Sequence, residues 1–77
     1  ANPASMKAAL DTLGEYTTGR RFAALGDMLE MGSDSPKYHA EIGEHAAKCG
    51  VDLLIARGRY GRDTISGAQS AGIPQSC

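Results

Sequence analysis

The chain has little that would suggest a metal, a membrane or a nucleic acid. Of its 77 residues only Cys49 and Cys77 are cysteines. They form no CxxC pair, and no Cys/His spacing of the metal-holding kind is evident, so unpaired thiols in a reducing cytoplasm are expected. No charge of one sign dominates: 8 Lys and Arg against 9 Asp and Glu give a net charge of −1. That balance argues against the basic face of a nucleic-acid binder. The clusters Arg20-Arg21 and Arg57, Arg59, Arg62 read as solvated charges at strand ends. No apolar run is long enough to cross a bilayer, and no charged-then-apolar leader pattern occurs. Missing too are GxxxxGK[ST], the loop that cradles a triphosphate, and the GxGxxG, GxSxG and HExxH motifs. Gly58-Arg59-Tyr60-Gly61-Arg62 has two glycines in a poor context for phosphate. There is no internal repeat, low-complexity tract or linker.

What is present is an alternation of elements. Asn2-Pro3 offers an N-cap followed by the proline favoured in a first helical turn. Met6, Ala9, Leu10 and Leu13 then mark one face of a helix, which ends by Thr17-Thr18-Gly19. Residues 21–25 are short and apolar and predict a buried strand, broken by Gly26-Asp27. Met28, Leu29 and Met31 read as apolar anchors of a core-facing loop. Ser35-Pro36 repeats the cap-then-proline signature, and Tyr38, Ile42, His45, Ala46 and Cys49 form the next stripe. Gly50 stands where a left-handed C-terminal glycine belongs. Residues 51–57 predict a second buried strand, and residues 60–71 a weaker helix with Ile65 and Ala68 inward. The class is therefore α/β, a Rossmann-like parallel sheet with flanking helices, about α-β-α-β-α, both faces of its sheet covered.

A chain of this size buries only about 60% of its unfolded surface. It opens on Ala1 rather than Met, and residues 72–77 complete no legible element. Two strands make a poor sheet. A strand before Ala1 and others after Cys77 are expected, so the chain reads as part of a domain rather than a whole enzyme.

In open parallel sheets ligands bind beyond the carboxyl ends of the strands. Here those ends are Gly26-Asp27 and Gly58-Arg59, with Asn2 on the same edge if a strand precedes it. Asp27 is the most interesting single residue. Its carboxylate can orient a hydroxyl, a metal-bound water or an amine; equally, it can cap a turn. His39 and His45 stand six apart, about 240° around a helix, and cannot share a metal. His45 belongs near the packed stripe, and His39 in the first turns can contact the preceding loop. Glu41 and Glu44 read as solvated helix carboxylates.

Four blocks carry a family resemblance. They are Ala1-Asn2-Pro3-Ala4-Ser5-Met6-Lys7-Ala8-Ala9-Leu10, then Leu25-Gly26-Asp27-Met28-Leu29-Glu30-Met31-Gly32, then His39 with Ile42-Gly43-Glu44, and Gly50-Val51-Asp52-Leu53-Leu54-Ile55. Together they resemble the C-terminal domain of the MurF-type Mur ligases, the UDP-N-acetylmuramoyl-tripeptide–D-alanyl-D-alanine ligases, from Ala1 to about Ile73. The resemblance implies a cytoplasmic, monomeric, three-domain ligase of peptidoglycan synthesis, of which residues 1–77 are part of the C-terminal domain. The N-terminal substrate domain and the central ATP-binding domain lie elsewhere. ATP, with Mg²⁺ present, activates the tripeptide carboxylate in that family, and the D-alanyl-D-alanine amine attacks the acyl phosphate. The C-terminal domain closes over nucleotide and dipeptide. Asn2 and Pro3 match the end of a YNANP block on the nucleotide side. Asp27 matches a GDM aspartate facing the cleft between domains, and His39 a histidine of the following helix. Arg57 departs from the small or apolar residue expected there, and a late KGSR-like motif is absent. The isolated chain is expected to be inactive and to bind no cofactor. The competing readings are a non-enzymatic α/β binding or interaction module and a small free-standing nucleotide-binding protein.

Overall fold

The structure, a computed structural model, describes residues 2–77; Ala1, first residue of the opening family block, lies outside it. The elements are α1 (Pro3–Tyr16), β1 (Phe22–Leu25), a 3₁₀ turn (Gly32–Asp34), α2 (Ser35–Lys48), β2 (Leu53–Ala56), α3 (Gly61–Ser70) and β3 (Gln75–Ser76). All pairing is parallel, in the order β1-β2-β3. The α/β class and the five central elements agree with the sequence reading. The third strand does not: residues 72–77, which show no pattern, run alongside β2. Gln75 donates its N–H to Asp52 O (3.2 Å) and Cys77 to Leu54 O (2.9 Å).

Local chemistry sets the helix ends. Asn2 Oδ1 accepts the Ser5 N–H at 2.9 Å, and Pro3 follows as the first helical residue. At the far end α1 stops without a glycine. Arg21 closes it instead, donating from Nη2 to Gly14 O (3.0 Å) and Thr17 O (2.9 Å). Its backbone N–H donates to Asp52 Oδ2 (2.8 Å), which ties β1 to the entry of β2. Arg21 is therefore half-buried rather than a solvated strand-end charge, because the orphan carbonyls of a helix end attract a guanidinium. Gly50 takes φ +79 after α2, in the left-handed conformation the sequence predicts.

One core joins the three helices to one face of the sheet. Its buried members are Leu10, Met28, Ile42, Ala46, Val51, Leu54 and Ala68, with Ala23 and Leu25 packed on it. The other face is open. Phe22 is 58% and Ile55 39% exposed, and the exposed Ala24 is paired directly with Ile55. The expectation of two covered faces is thus corrected. A run of four apolar residues does not distinguish a strand buried on both sides from one buried on alternate residues. The loop after β1 also splits. Met28 is buried and Met31 half-buried, whereas Leu29 is 74% exposed.

The helices α2 and α3 meet through glycine. A Cβ on Gly43 would collide with the carbonyl oxygen of Thr64 and stand 2.8 Å from Ala68 N. A Cβ on Gly67 would collide with the carbonyl of Ala40. Both obstacles are backbone, so they cannot rotate away. Gly43→Ala and Gly67→Ala should each destabilise the chain by about 1–3 kcal/mol or more, seen as a lowered urea midpoint. Gly26→Ala is the control: nothing lies within 4 Å of its added carbon, and its change should stay within about 0.5 kcal/mol. Equally small shifts for all three variants would show that the helices do not need this contact.

Candidate functional site

The carboxyl ends of β1 and β2 open onto two loops, and Asp27 joins them. Its Oδ2 accepts the Arg59 N–H at 2.8 Å and its Oδ1 the Tyr60 N–H at 3.0 Å. Tyr60 is the residue before α3, so the carboxylate also sits at the positive end of that helix. Gly58, at φ +102, makes room: a Cβ there would stand 2.5 Å from the Asp27 carboxyl carbon. Both carboxylate oxygens are thus engaged by backbone.

His39 is buried at 2% exposure one helical turn into α2. Its Nδ1 faces Ser35 O at 2.7 Å, which only accepts, so Nδ1 carries the hydrogen. Its Nε2 accepts the Met28 N–H at 2.9 Å. The ring stacks on Tyr60, centroids 4.7 Å apart and planes 28° from parallel. Asp27 Oδ1 lies 3.8 Å from Nε2. That approach is not an ion pair, since Nε2 presents its lone pair to Met28 rather than a proton to Asp27. The expected contact of His39 with the preceding loop is present, and it is a buried one.

Asp27, Met28, His39 and Tyr60 therefore lock the β1–α2 loop to the β2–α3 loop. Beside them is an open cleft of roughly 390 Å³, lined by Asp27, Leu29, Glu30, Arg59 and Tyr60 among others. Glu30 takes φ 62, the sole left-handed non-glycine residue among those described, which turns the loop outward around the cleft. Asn2 and Pro3 stand apart from this group. They start α1, whose Gly14 lies against Cys49 at the end of α2, so the C-terminal turns of the two helices adjoin. The Asn2 side chain engages its own helix through Ser5.

The sequence places Gly58 at this strand end but does not mark Tyr60 as part of the rim. The signal of Tyr60 is weak, an aromatic two residues after a glycine, and its partner Asp27 is 33 positions away. Each Asp27 oxygen accepts one backbone N–H and keeps a second lone pair. The chain supplies no glycine-rich phosphate loop.

A second polar cluster lies at the other end of the helices. His45 Nε2 stands 2.7 Å from Asp11 Oδ1, and the Cys49 thiol donates to the same oxygen over 3.6 Å. Burial pushes the Cys49 thiol up from its ordinary range, and the Asp11 carboxylate pushes it further; Arg21 opposes both.

The rim makes a specific prediction. His39→Leu leaves the Met28 N–H buried without an acceptor and should destabilise the chain by about 1–3 kcal/mol. His39→Gln can place an amide oxygen near the former Nε2 and should recover part of that loss. The readout is hydrogen exchange at the Met28 amide, which should accelerate in His39→Leu and less in His39→Gln. Unchanged protection in His39→Leu would show that another group holds this amide.

The family model described as "Mur ligase, glutamate ligase domain" matches residues 1–75. A UDP-N-acetylmuramoyl-tripeptide–D-alanyl-D-alanine ligase of Escherichia coli (strain K12) is 38% identical over 72 residues, covering 94% of this chain and 16% of that protein. Proteins of the same name from Bacillus subtilis (strain 168) and Rickettsia prowazekii (strain Madrid E) are 35% and 33% identical, over 88% and 78% of this chain. They are covered to 15% and 13% of their own lengths, so the chain spans about a sixth or less of these relatives. No solved structure matches the chain. With the parallel α/β fold, the strand-end rim and a match along nearly its whole length, the chain belongs to the Mur ligase, glutamate ligase domain family.

Proposed function

We propose that this chain is part of the C-terminal domain of a ligase that joins D-alanyl-D-alanine to UDP-N-acetylmuramoyl-tripeptide, using ATP and Mg²⁺, in cytoplasmic peptidoglycan synthesis. The observation that carries the proposal is the set of relatives bearing that name, aligned along 78–94% of this chain in the first three. Activation of the tripeptide carboxylate belongs to domains outside these residues, because nothing here cradles a triphosphate. The contribution of this segment is a shaped, rigid rim.

In this reading Asp27 and His39 are positioning residues. The Asp27 carboxylate fixes the Arg59 and Tyr60 amides, and His39 fixes Met28 and the Tyr60 ring. The cleft they support exposes Leu29, Glu30 and Arg59 toward whatever closes on it. An apolar contact and charges of both signs in one cleft suit a zwitterionic dipeptide. Asn2 and Pro3 set where α1 begins, on the side assigned to the nucleotide. Preorganised placement of reacting groups is the kind of help such a rim gives.

A chimera tests this. Residues 1–75, the span matched by the family model, replace the corresponding segment of the Escherichia coli relative, and ATP-dependent, D-alanyl-D-alanine-dependent ligation is measured. The chimera should ligate, and Asp27→Asn within it should lower kcat/KM by about tenfold or more, the equivalent of one charge-assisted hydrogen bond. A folded chimera without ligation would overturn the assignment. Full activity in folded Asp27→Asn would remove Asp27 from the rim's function.

A further inference from the structure

The cluster at the opposite end of the helices from the rim has no part in the proposed ligase function. It draws on two elements: Asp11 from the third turn of α1, and His45 with Cys49 from the last turn and cap of α2. His45 and Cys49 are four apart, so their side chains leave the helix on one face. The carboxylate, imidazole and thiol donor atoms all lie within 4.8 Å of one another. Zinc bonds of about 2.0–2.3 Å to N, O and S, arranged tetrahedrally, place an oxygen and a sulfur ligand about 3.6 Å apart and an oxygen and a nitrogen ligand about 3.4 Å apart. The Asp11 Oδ1 to Cys49 Sγ separation is 3.6 Å. The Asp11 to His45 separation is 2.7 Å and must open by somewhat under an ångström. That is a small side-chain rotation for two groups that are partly in solvent.

We propose that Asp11, His45 and Cys49 form a binding site for a borderline divalent transition metal of the zinc class, with solvent in the fourth position. The donor set of one imidazole nitrogen, one thiolate and one carboxylate favours zinc over magnesium or calcium, which take oxygen alone. Hydrogens now occupy the place of the metal: His45 Nε2–H and the Cys49 thiol both point at Asp11 Oδ1. On binding, Cys49 loses its proton to solvent, and the His45 hydrogen moves to Nδ1 by exchange with water, leaving the Nε2 lone pair for the metal. One proton is released per ion bound. Asp11 and Glu15 supply negative charge near the site, and Arg21 on the strand side opposes it. The metal would bridge α1 to α2 beside the close approach of Gly14 to Cys49.

The test uses the full 77-residue chain with cobalt(II) and zinc(II) chlorides as probes. Cobalt should bind one-to-one, with the visible bands of a tetrahedral site and a near-ultraviolet thiolate-to-cobalt band, and zinc should displace it. Calorimetry in buffers of different ionisation enthalpy should report about one proton released. Cys49→Ser and His45→Ala should each weaken binding about tenfold or more, since losing a ligand costs at least as much as losing its outer support. Both remove partly exposed side chains at the end of α2, and circular dichroism confirms that each is folded before titration. Cys77→Ser should change nothing. Absence of the thiolate band at saturating cobalt, undiminished binding in folded Cys49→Ser, or loss of the band in Cys77→Ser would each overturn the proposal.

Discussion

The backbone contact between α2 and α3 governs the rest of the structure. Gly43 and Gly67 let the two helices approach until each meets the other's carbonyls. Because both helices start at the rim, this approach fixes where their first turns stand. It brings His39 in α2 over Tyr60 at the head of α3. Once the ring is seated there, its Nε2 meets the Met28 amide and its Nδ1 the Ser35 carbonyl. The same placement carries the Arg59 and Tyr60 amides to the Asp27 carboxylate. A packing constraint in the helical layer thus becomes a geometric one at the sheet edge.

The helices and two longer strands are legible in the sequence because their signals are local. Asn2-Pro3 starts α1 and Gly50 ends α2, each through neighbours within four residues; at the start of α2 the cap position falls on Asp34, without a side-chain bond, and Ser35 is already helical. What the sequence hides is non-local. Arg21 looks like a surface charge until α1 is folded back over it and leaves two carbonyls in reach. β3 pairs over two residues, too few for any periodicity. The open sheet face at Phe22 and Ile55 is invisible in runs of four apolar residues. Asp27 is legible as a residue to watch, but its acceptor role rests on amides 32 and 33 positions away. The meeting of Asp11 with His45 and Cys49 is hidden for the same reason, at separations of 34 and 38; the four-residue step from His45 to Cys49 was the available hint.

Asp27 and His39 act on the loops around them. Both have their polar atoms engaged by the backbone of this chain. Neither is arranged to donate or take a proton from a substrate. What they hold in place are the exposed groups around the cleft, Leu29, Glu30 and Arg59. In this structure both shape the rim through backbone contacts.

The one-sided sheet has a thermodynamic consequence. All three helices cover a single face, so Phe22, Ala24 and Ile55 keep a substantial part of their surface in water in the folded state. The heat-capacity change of unfolding scales with the apolar area newly exposed, and so does the steepness of denaturation by urea. Both quantities are therefore smaller for this chain than its length implies. With a smaller heat-capacity change, the stability curve bends less sharply around its optimum temperature.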